Sequence, residues 1–324
     1  MPLRLEMAST RRAVIDVGTN SIKLLVADVS GHEVRPVREE SHQTRLGRGF
    51  YKTLQLQAQP IGATARAVAE FAAKAREEKA ISVRVIATSA ARDATNAKEL
   101  ITAIQEASHL KVEIISGEQE ADWAFQGAMT DPALAREPLL LLDVGGGSTE
   151  FILGHGEQKD FRQSFPMGTV RLLEEIKPGD PPAAGELAVC RDWVREFLEK
   201  EIAPKLSPAI RKEKKFESQT GHLQVVGTGG TASILGCMEA KPAGFDRERL
   251  EATRLSRESL RRHVEHLWSC SLSERKKTAG LPANRADVIL TGTVIYEGVL
   301  EMFKFKDLRI STRGLRFAAV MQSA

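Results

Sequence analysis

Five short segments of the chain place glycines and hydroxyls directly behind apolar runs: Gly18-Thr-Asn-Ser21, Thr88-Ser-Ala-Ala-Arg92, Gly145-Gly-Gly-Ser-Thr149, Gly168-Thr-Val-Arg171 and Gly227-Thr-Gly-Gly-Thr231. Glycine lets a backbone approach a ligand closely, and successive N–H groups form a concave nest for an anion. Thr and Ser hydroxyls add donors, and the guanidinium groups of Arg92 and Arg171 suit bidentate contact with phosphate oxygens. The Gly227–Thr231 segment would also open a helix, whose first N–H groups favour anions. One such loop is an ordinary hairpin turn, but five in one chain point to phosphate.

Acids accompany these turns. Asp16 and Asp143 stand at strand ends immediately before two of them, 127 residues apart. One carboxylate from each of two domains would serve a Mg²⁺ or its waters beside phosphate oxygens; the alternative is that each Asp stabilises its own turn. Glu150 follows the second turn and shares a strand face with Ser148. Glu118 and Glu120 begin a helix, where acids also favour the helix dipole. Two residues apart, they point about 200° away from each other, so at most one faces a ligand. Other phosphate and nucleophile signatures are missing: there is no GxxxxGK[ST], no G-x-G-x-x-G in a βαβ setting and no G-x-S-x-G. Ser148 therefore reads as a donor rather than a nucleophile.

The elements that must hold these residues repeat. Ala13–Val29 (AVIDVGTNSIKLLVADV) and Leu140–Gly154 (LLLDVGGGSTEFILG) each run apolar, Asp-Val-Gly-x-x-Ser, apolar. That pattern predicts two antiparallel strands joined by a tight turn, and its repetition predicts two related domains facing each other across a cleft. Between and after the hairpins the chain alternates α and β. Helices are expected over 60–79, 94–107, 119–129, 184–202, 285–303 and 315–321, with a helix start over 231–238. Strands are expected over 83–87, 112–115, 223–226 and 308–310, and a polar, charged surface excursion over 205–222. Domain I is expected over residues 1–132 and domain II over 133–312, with a final helix in 313–324 packing back on domain I. A hinge is expected near 131–138, where Asp131-Pro132 and Glu137-Pro138 interrupt regular structure.

Composition narrows the class. Of 324 residues, 42% are hydrophobic and 27% charged, which excludes disorder and collagen and provides for a sizeable core. Three cysteines (Cys190, Cys237, Cys270) without a CxxC pair suggest neither zinc nor a disulfide framework and favour a reducing compartment. The charged N-terminus lacks a signal h-region and no apolar run approaches the ~18 residues of a membrane span, so a cytoplasmic protein is expected. The net charge of +3 is uneven: residues 201–324 hold 21 basic and 14 acidic side chains. A basic C-terminal third, with clusters at Arg211–Lys215, Arg261-Arg262 and Arg275–Lys277, suits a polyanion or is solubilising surface.

In combination, the segments AVIDVGTNSIKLLV (13–26), TRLGRG (44–49), ATSAARDATN (87–96), IISGEQEADWAFQGA (114–128), LLLDVGGGSTEF (140–151), MGTVRL (167–172), VVGTGGTASILG (225–236) and RADVILTG (285–292) resemble the exopolyphosphatase/guanosine-pentaphosphate phosphohydrolase (Ppx/GppA) family. The resemblance covers residues 13–316. It implies an α/β fold of two ribonuclease-H-like domains of the actin/sugar-kinase superfamily, in the short two-domain form. It also implies Glu120 as the general base toward the attacking water, and Asp143 and Glu150 as holders of Mg²⁺. The phosphates would be cradled by Asn20, Ser21, Arg92, the bend of Gly145, Gly146, Gly147 and Ser148, and the Gly229-Gly230 turn, with Arg171 beside them. Asp16 remains a metal candidate from the residue pattern. The tail departs from the family, with Phe317-Ala318 where many members have Glu-Gly. No His-Asp dipeptide marks an additional HD-type domain, and His263 and His266 read as helix-surface residues.

The resemblance implies a Mg²⁺-dependent hydrolase releasing terminal orthophosphate from inorganic polyphosphate, with guanosine pentaphosphate (pppGpp) as a second substrate. The alternatives are a superfamily kinase passing ATP's phosphate to a small acceptor, or a non-catalytic sensor of (p)ppGpp or polyphosphate. SGEQEA and MGTVRL speak against the kinase, and the full set of acids against the sensor. Neither nucleic acid nor a membrane is expected as a partner; a homodimer is compatible with the sequence.

Overall fold

A computed structural model describes residues 9–215, 222–241 and 244–322. They divide into two compact units, one formed by the described residues up to Thr130 together with those from Leu315 onward, the other by Asp131–Gly314.

In the first unit, β1 (Thr10–Val17), β2 (Ile22–Ser30) and β3 (Glu33–His42) form an antiparallel meander. The chain then passes through α1 (Ala58–Glu77) to β4 (Ser82–Ala87), α2 (Ser89–Asp93), α3 (Ala97–Ser108), β5 (Val112–Ile114) and α4 (Gly117–Ala128). The sheet order is β3-β2-β1-β4-β5, with β4 and β5 parallel to β1. Side-chain alternation gives the sheet two apolar faces. Ala13, Ile15 and Val17 join α1 and α3 in one core, whereas Val14, Leu25, Ala27 and Ile86 join Trp123 of α4 and the C-terminal helix in the other.

The second unit repeats this plan. An antiparallel meander of β6 (Leu139–Val144), β7 (Thr149–His155) and β8 (Gln158–Phe165) leads into α5 (Thr169–Ile176) and α6 (Glu186–Phe197). After one π turn over Leu198–Ile202 comes α7 (Ala203–Lys215). The strand β9 (Gln224–Thr228) then runs directly into α8 (Gly229–Ala240). Next come α9 (Arg247–Glu251), β10 (Arg254–Ser256), α10 (Arg257–Ser269), α11 (Leu272–Arg275), α12 (Ile289–Met302) and β11 (Asp307–Ile310). The sheet order β10-β11-β9-β6-β7-β8 contains the first unit's 5-4-1-2-3 pattern plus one edge strand. Leu140, Leu142, Val144, Phe151 and Leu153 feed its core, which places Leu139, Leu141 and Asp143 on the opposite sheet face.

Several sequence expectations are corrected. Residues 205–215, read from sequence as a surface excursion, form a helix with a buried side; Leu198, Ile202, Leu206 and Ile210 recur every fourth residue and are all buried. Pro204 and Pro208 disguised that period, since proline inside a helix removes a hydrogen bond. The remainder of that stretch, 216–221, lies outside the described residues. The 94–107 helix begins only at Ala97, because the Asn96 side chain accepts from Leu56 N (2.8 Å) and donates to Leu56 O (3.0 Å), holding the chain extended before it. The 285–303 helix begins at Ile289, since the Asp287 carboxylate takes the Val288 amide (3.0 Å) and competes with helical pairing. The stretch 246–275 carries three helices, of which only the one bearing His263 and His266 was anticipated from sequence, and each is opened by a side-chain cap from Asp246, Ser256 or Ser271. Residues 131–137 form turns, and Arg309 reaches the largely buried Asp131 at 3.4 Å.

The last helix, α13 (Leu315–Met321), completes the first unit. It packs on α4, β1 and β2, and buries Leu315, Phe317, Ala318, Ala319 and Val320 in the core shared with Val14 and Ile86. Arg316 donates to Leu24 O (2.7 Å) and Arg12 to Met321 O (2.9 Å). Phe317, at the position of the family departure, is thus a core anchor. All three cysteines are free, and burial pushes the Cys190 thiol up to about 12. Among the described residues no helix is long and apolar enough to cross a membrane. Phe317→Ala should cost about 3–5 kcal/mol of stability, read as a lower denaturant midpoint; an unchanged midpoint would show that α13 is not anchored there.

Candidate active site

The two hairpin bends are built alike. In the first unit Gly18 N donates to Ser21 O at 3.0 Å; in the second, Gly145 N donates to Ser148 O at 3.0 Å. Each bend is buttressed from behind. In the first unit Arg45 N donates to Asn20 O (3.0 Å) and Gly47 N to Thr19 O (2.7 Å), with Leu46 and Phe50 rooted in the core. Asn20 Nδ2, Ser21 Oγ and Ser89 Oγ are buried without a hydrogen-bond partner. Orphaned donors of this kind are costly unless something accepts from them, and their acceptor-seeking chemistry fits an anion.

In the second unit the buttress is α5. Thr169 N donates to Gly145 O (2.9 Å), Val170 N and Arg171 N to Gly146 O (2.8 and 3.1 Å), and Arg171 Nε to Gly147 O (3.0 Å). The carbonyl side of the bend is therefore satisfied by protein, and Arg171 serves as a clasp on the bend. Gly168 makes this fit possible: a methyl group there would stand 2.5 Å from Gly147 C and 2.6 Å from Gly146 O. The α8 N-terminus lies beside the same strand end, since Asp143 is the register partner of Thr228. Gly229 there has φ +81°, and a side chain on it would strike the Asp143 carboxylate. A twelve-residue helix thus begins against that acid, and its Gly230 has open space where a side chain would be.

The acids divide between the units. Asp143 pairs directly across the hairpin with Glu150, and directly opposed residues share a sheet face. Glu150 is 1% exposed and accepts from Ser164 Oγ at 2.7 Å. In the first unit the position opposite Asp16 is Lys23, whose ammonium lies 4.0 Å away. Burial raises the pKa of Asp16, against the opposing pull of Lys23 and Arg316. Equivalent rungs thus hold an acid with a base in one unit and two acids in the other. Glu120 is buried on α4, a helix capped by Ser116, whose Oγ accepts from Gln119 N (3.1 Å), while Glu118 is exposed. Arg92 Nη1 donates to Glu120 Oε2 (2.9 Å) and to Ile115 O (3.2 Å). The structure therefore brings Arg92 to the acid.

Three contacts were not anticipated from sequence: Lys23 with Asp16, Ser164 with Glu150, and Arg92 with Glu120. The first two follow from hairpin register, which alternation along β2 and β8 could have supplied; the third depends on how the end of α2 meets the first turn of α4. Among the described residues, two other groups place three metal-type ligands within 4.8 Å: Glu40, His42 and Glu70, and His155, Asp160 and Glu213. Each already has an ammonium, with Lys74 on Glu40 and Glu70 and Lys212 on Asp160. His263 bonds Glu239 at 2.7 Å. In the basic third, Arg275 is buried and donates to the carbonyls of Ala286 and Cys270, so it is a structural residue. Arg261 pairs with Glu301.

Asp143 and Glu150 fit a hard cation. They offer oxygen ligands only, and no third acid of that unit joins them at ligand distance among the described residues, leaving positions for water or phosphate oxygen as Mg²⁺ prefers.

A 3-2-1-4-5 strand order repeated in two units, each with an Asp-Val-Gly bend between its first strands, defines a duplicated ribonuclease-H-like protein of the actin/sugar-kinase class. The chain belongs to the Ppx/GppA phosphatase family, whose model matches residues 25–323. It is 33% identical to Exopolyphosphatase 2 of Mycobacterium tuberculosis over 300 residues, 90% of either chain. It is similar to the solved Aquifex aeolicus family member (26% identity, TM-score 0.74, 97% of each chain). It is also similar to an exopolyphosphatase from Cytophaga hutchinsonii (25% identity, TM-score 0.80, 95% of this chain and 96% of that one).

Gly168→Ala should push α5 off the bend. The expected outcome is a loss of about 1–3 kcal/mol of stability together with weaker protection of the protein by added phosphate in thermal unfolding. A variant that keeps both would overturn the role given to this close approach.

Proposed function

We propose that the protein is an exopolyphosphatase: it releases terminal orthophosphate from inorganic polyphosphate by attack of water, and accepts pppGpp as a second substrate, yielding ppGpp. The observation that carries this is the Asp143–Glu150 pair beside a glycine bend whose carbonyls are already occupied, in a chain related over 90% of its length to an exopolyphosphatase. The same pair supports a Mg²⁺-dependent reaction. Asp143 and Glu150 would hold the ion. When bound, Mg²⁺ neutralises phosphate oxygens and so eases both approach of water and departure of the chain.

The protein's own groups do the rest. Asn20, Ser21, the amides of Gly146, Gly147 and Ser148, and the first turn of α8 at Gly229 and Gly230 would receive phosphate oxygens. Glu120, fixed by Arg92, would accept the proton of the attacking water. The new P–O bond forms at the terminal phosphorus, the bridging P–O bond breaks, and the shortened chain leaves with the bonding pair. Such transfer depends on positioning and charge stabilisation more than on covalent catalysis.

Orthophosphate release should be measured on long polyphosphate, short polyphosphate, pppGpp and ATP. With Mg²⁺, polyphosphate turnover is expected, and Glu120→Gln should lower it about 10²–10⁴-fold without a change in fold. Chelation by EDTA should abolish turnover and Mg²⁺ restore it. An undiminished Glu120→Gln rate removes that residue from its role; transfer of ATP's phosphate to a small acceptor without polyphosphate hydrolysis overturns the function.

A further inference from the structure

Tyr296, on α12, is one of only two tyrosines in the chain and is fully buried. Its Oη lies 3.3 Å from Leu142 O and 3.2 Å from Thr228 O. These partners flank the rung on which β6 and β9 pair for the last time, Asp143 with Thr228. Beyond that rung β6 becomes the glycine bend and β9 becomes α8. One phenol oxygen therefore lies against both the carbonyl that precedes Asp143 and the carbonyl that precedes Gly229. The ring reaches this position because Gly227 has no side chain; a methyl group there would stand 3.0 Å from Tyr296 Cε1. Burial beside Asp143 keeps the pKa of the phenol well above its ordinary value, so it keeps the proton that it donates.

We propose that Tyr296 is a positioning residue, whose hydroxyl sets the Asp143 carboxylate against the first turn of α8 and so sets the protein's affinity for the divalent cation. This rests on Asp143 being a metal ligand, as argued above. Phenylalanine keeps the ring in the core but removes the oxygen that fixes the two peptides around that ligand. Loss of a group that orients a metal ligand from behind typically weakens metal binding about 10–100-fold.

The test compares Tyr296→Phe with the parent, with Asp143→Asn and with Val299→Ala, a core truncation on the same helix away from the site. Mn²⁺ binding is followed by electron paramagnetic resonance without substrate, alongside the Mg²⁺ concentration giving half-maximal polyphosphate turnover. Tyr296→Phe is expected to weaken both at least several-fold, with the rate at saturating Mg²⁺ nearly retained, whereas Val299→Ala lowers only thermal stability. Parent-like Mn²⁺ binding by Tyr296→Phe, with binding lost in Asp143→Asn, overturns the role of Tyr296 alone. Parent-like binding by Asp143→Asn overturns the metal assignment beneath it. Should Tyr296→Phe fail to fold, 3-fluorotyrosine at position 296 in a Tyr51→Phe background gives a second readout. Its ¹⁹F resonance is expected to move on addition of Mg²⁺, and a resonance indifferent to Mg²⁺ overturns the proposal.

Discussion

The second unit is organised around an unfavourable contact: two carboxylates, Asp143 and Glu150, on opposed rungs of one hairpin. Like charges directly opposed on a sheet are destabilising, and the surrounding parts are arranged around that pair. Ser164 donates to Glu150, and a helix begins with Gly229 against Asp143. The bend's carbonyls, which would add further negative potential, are turned into α5. Two acids placed next to backbone donors in this way suit the joint binding of a cation and a phosphate proposed above.

The first unit resolves the same geometry differently. Its hairpin has the same Gly-to-Ser closure, yet opposite Asp16 stands Lys23, with Arg316 of the last helix contributing to the same field. The two hairpins therefore differ at one rung, acid–base in one and acid–acid in the other, and the first bend keeps the orphaned Asn20 and Ser21 donors. Glu120, held by Arg92, adds an oriented carboxylate that has no equivalent in the repeated pattern.

Much of this was legible in the sequence because it is local. Asp-Val-Gly-x-x-Ser between apolar runs is a contiguous signal, so both bends and their strands could be placed from it, and alternation distinguished core from site residues. Contacts depending on register or on the meeting of distant elements were not legible: Asp16 with Lys23, Arg92 with Glu120, and Tyr296 beneath Leu142 and Thr228. The helix of Leu206 and Ile210 was hidden by prolines, and the one beginning at Ile289 was shortened by the competing Asp287 side chain. The caps at Asp246, Ser256 and Ser271 show that short helices can be announced by single polar residues that composition and periodicity overlook.

The return of α13 to the first unit has a consequence for how the backbone may be cut. Leu315, Phe317 and Val320 supply part of the hydrophobic interior on which β1, β2 and α4 rest. In chain order the Asp131–Gly314 unit is thus an insertion between two parts of the other. A break between Gly314 and Leu315 would leave every strand of the second unit on one piece, yet it would untie α13 and open an apolar face on the first.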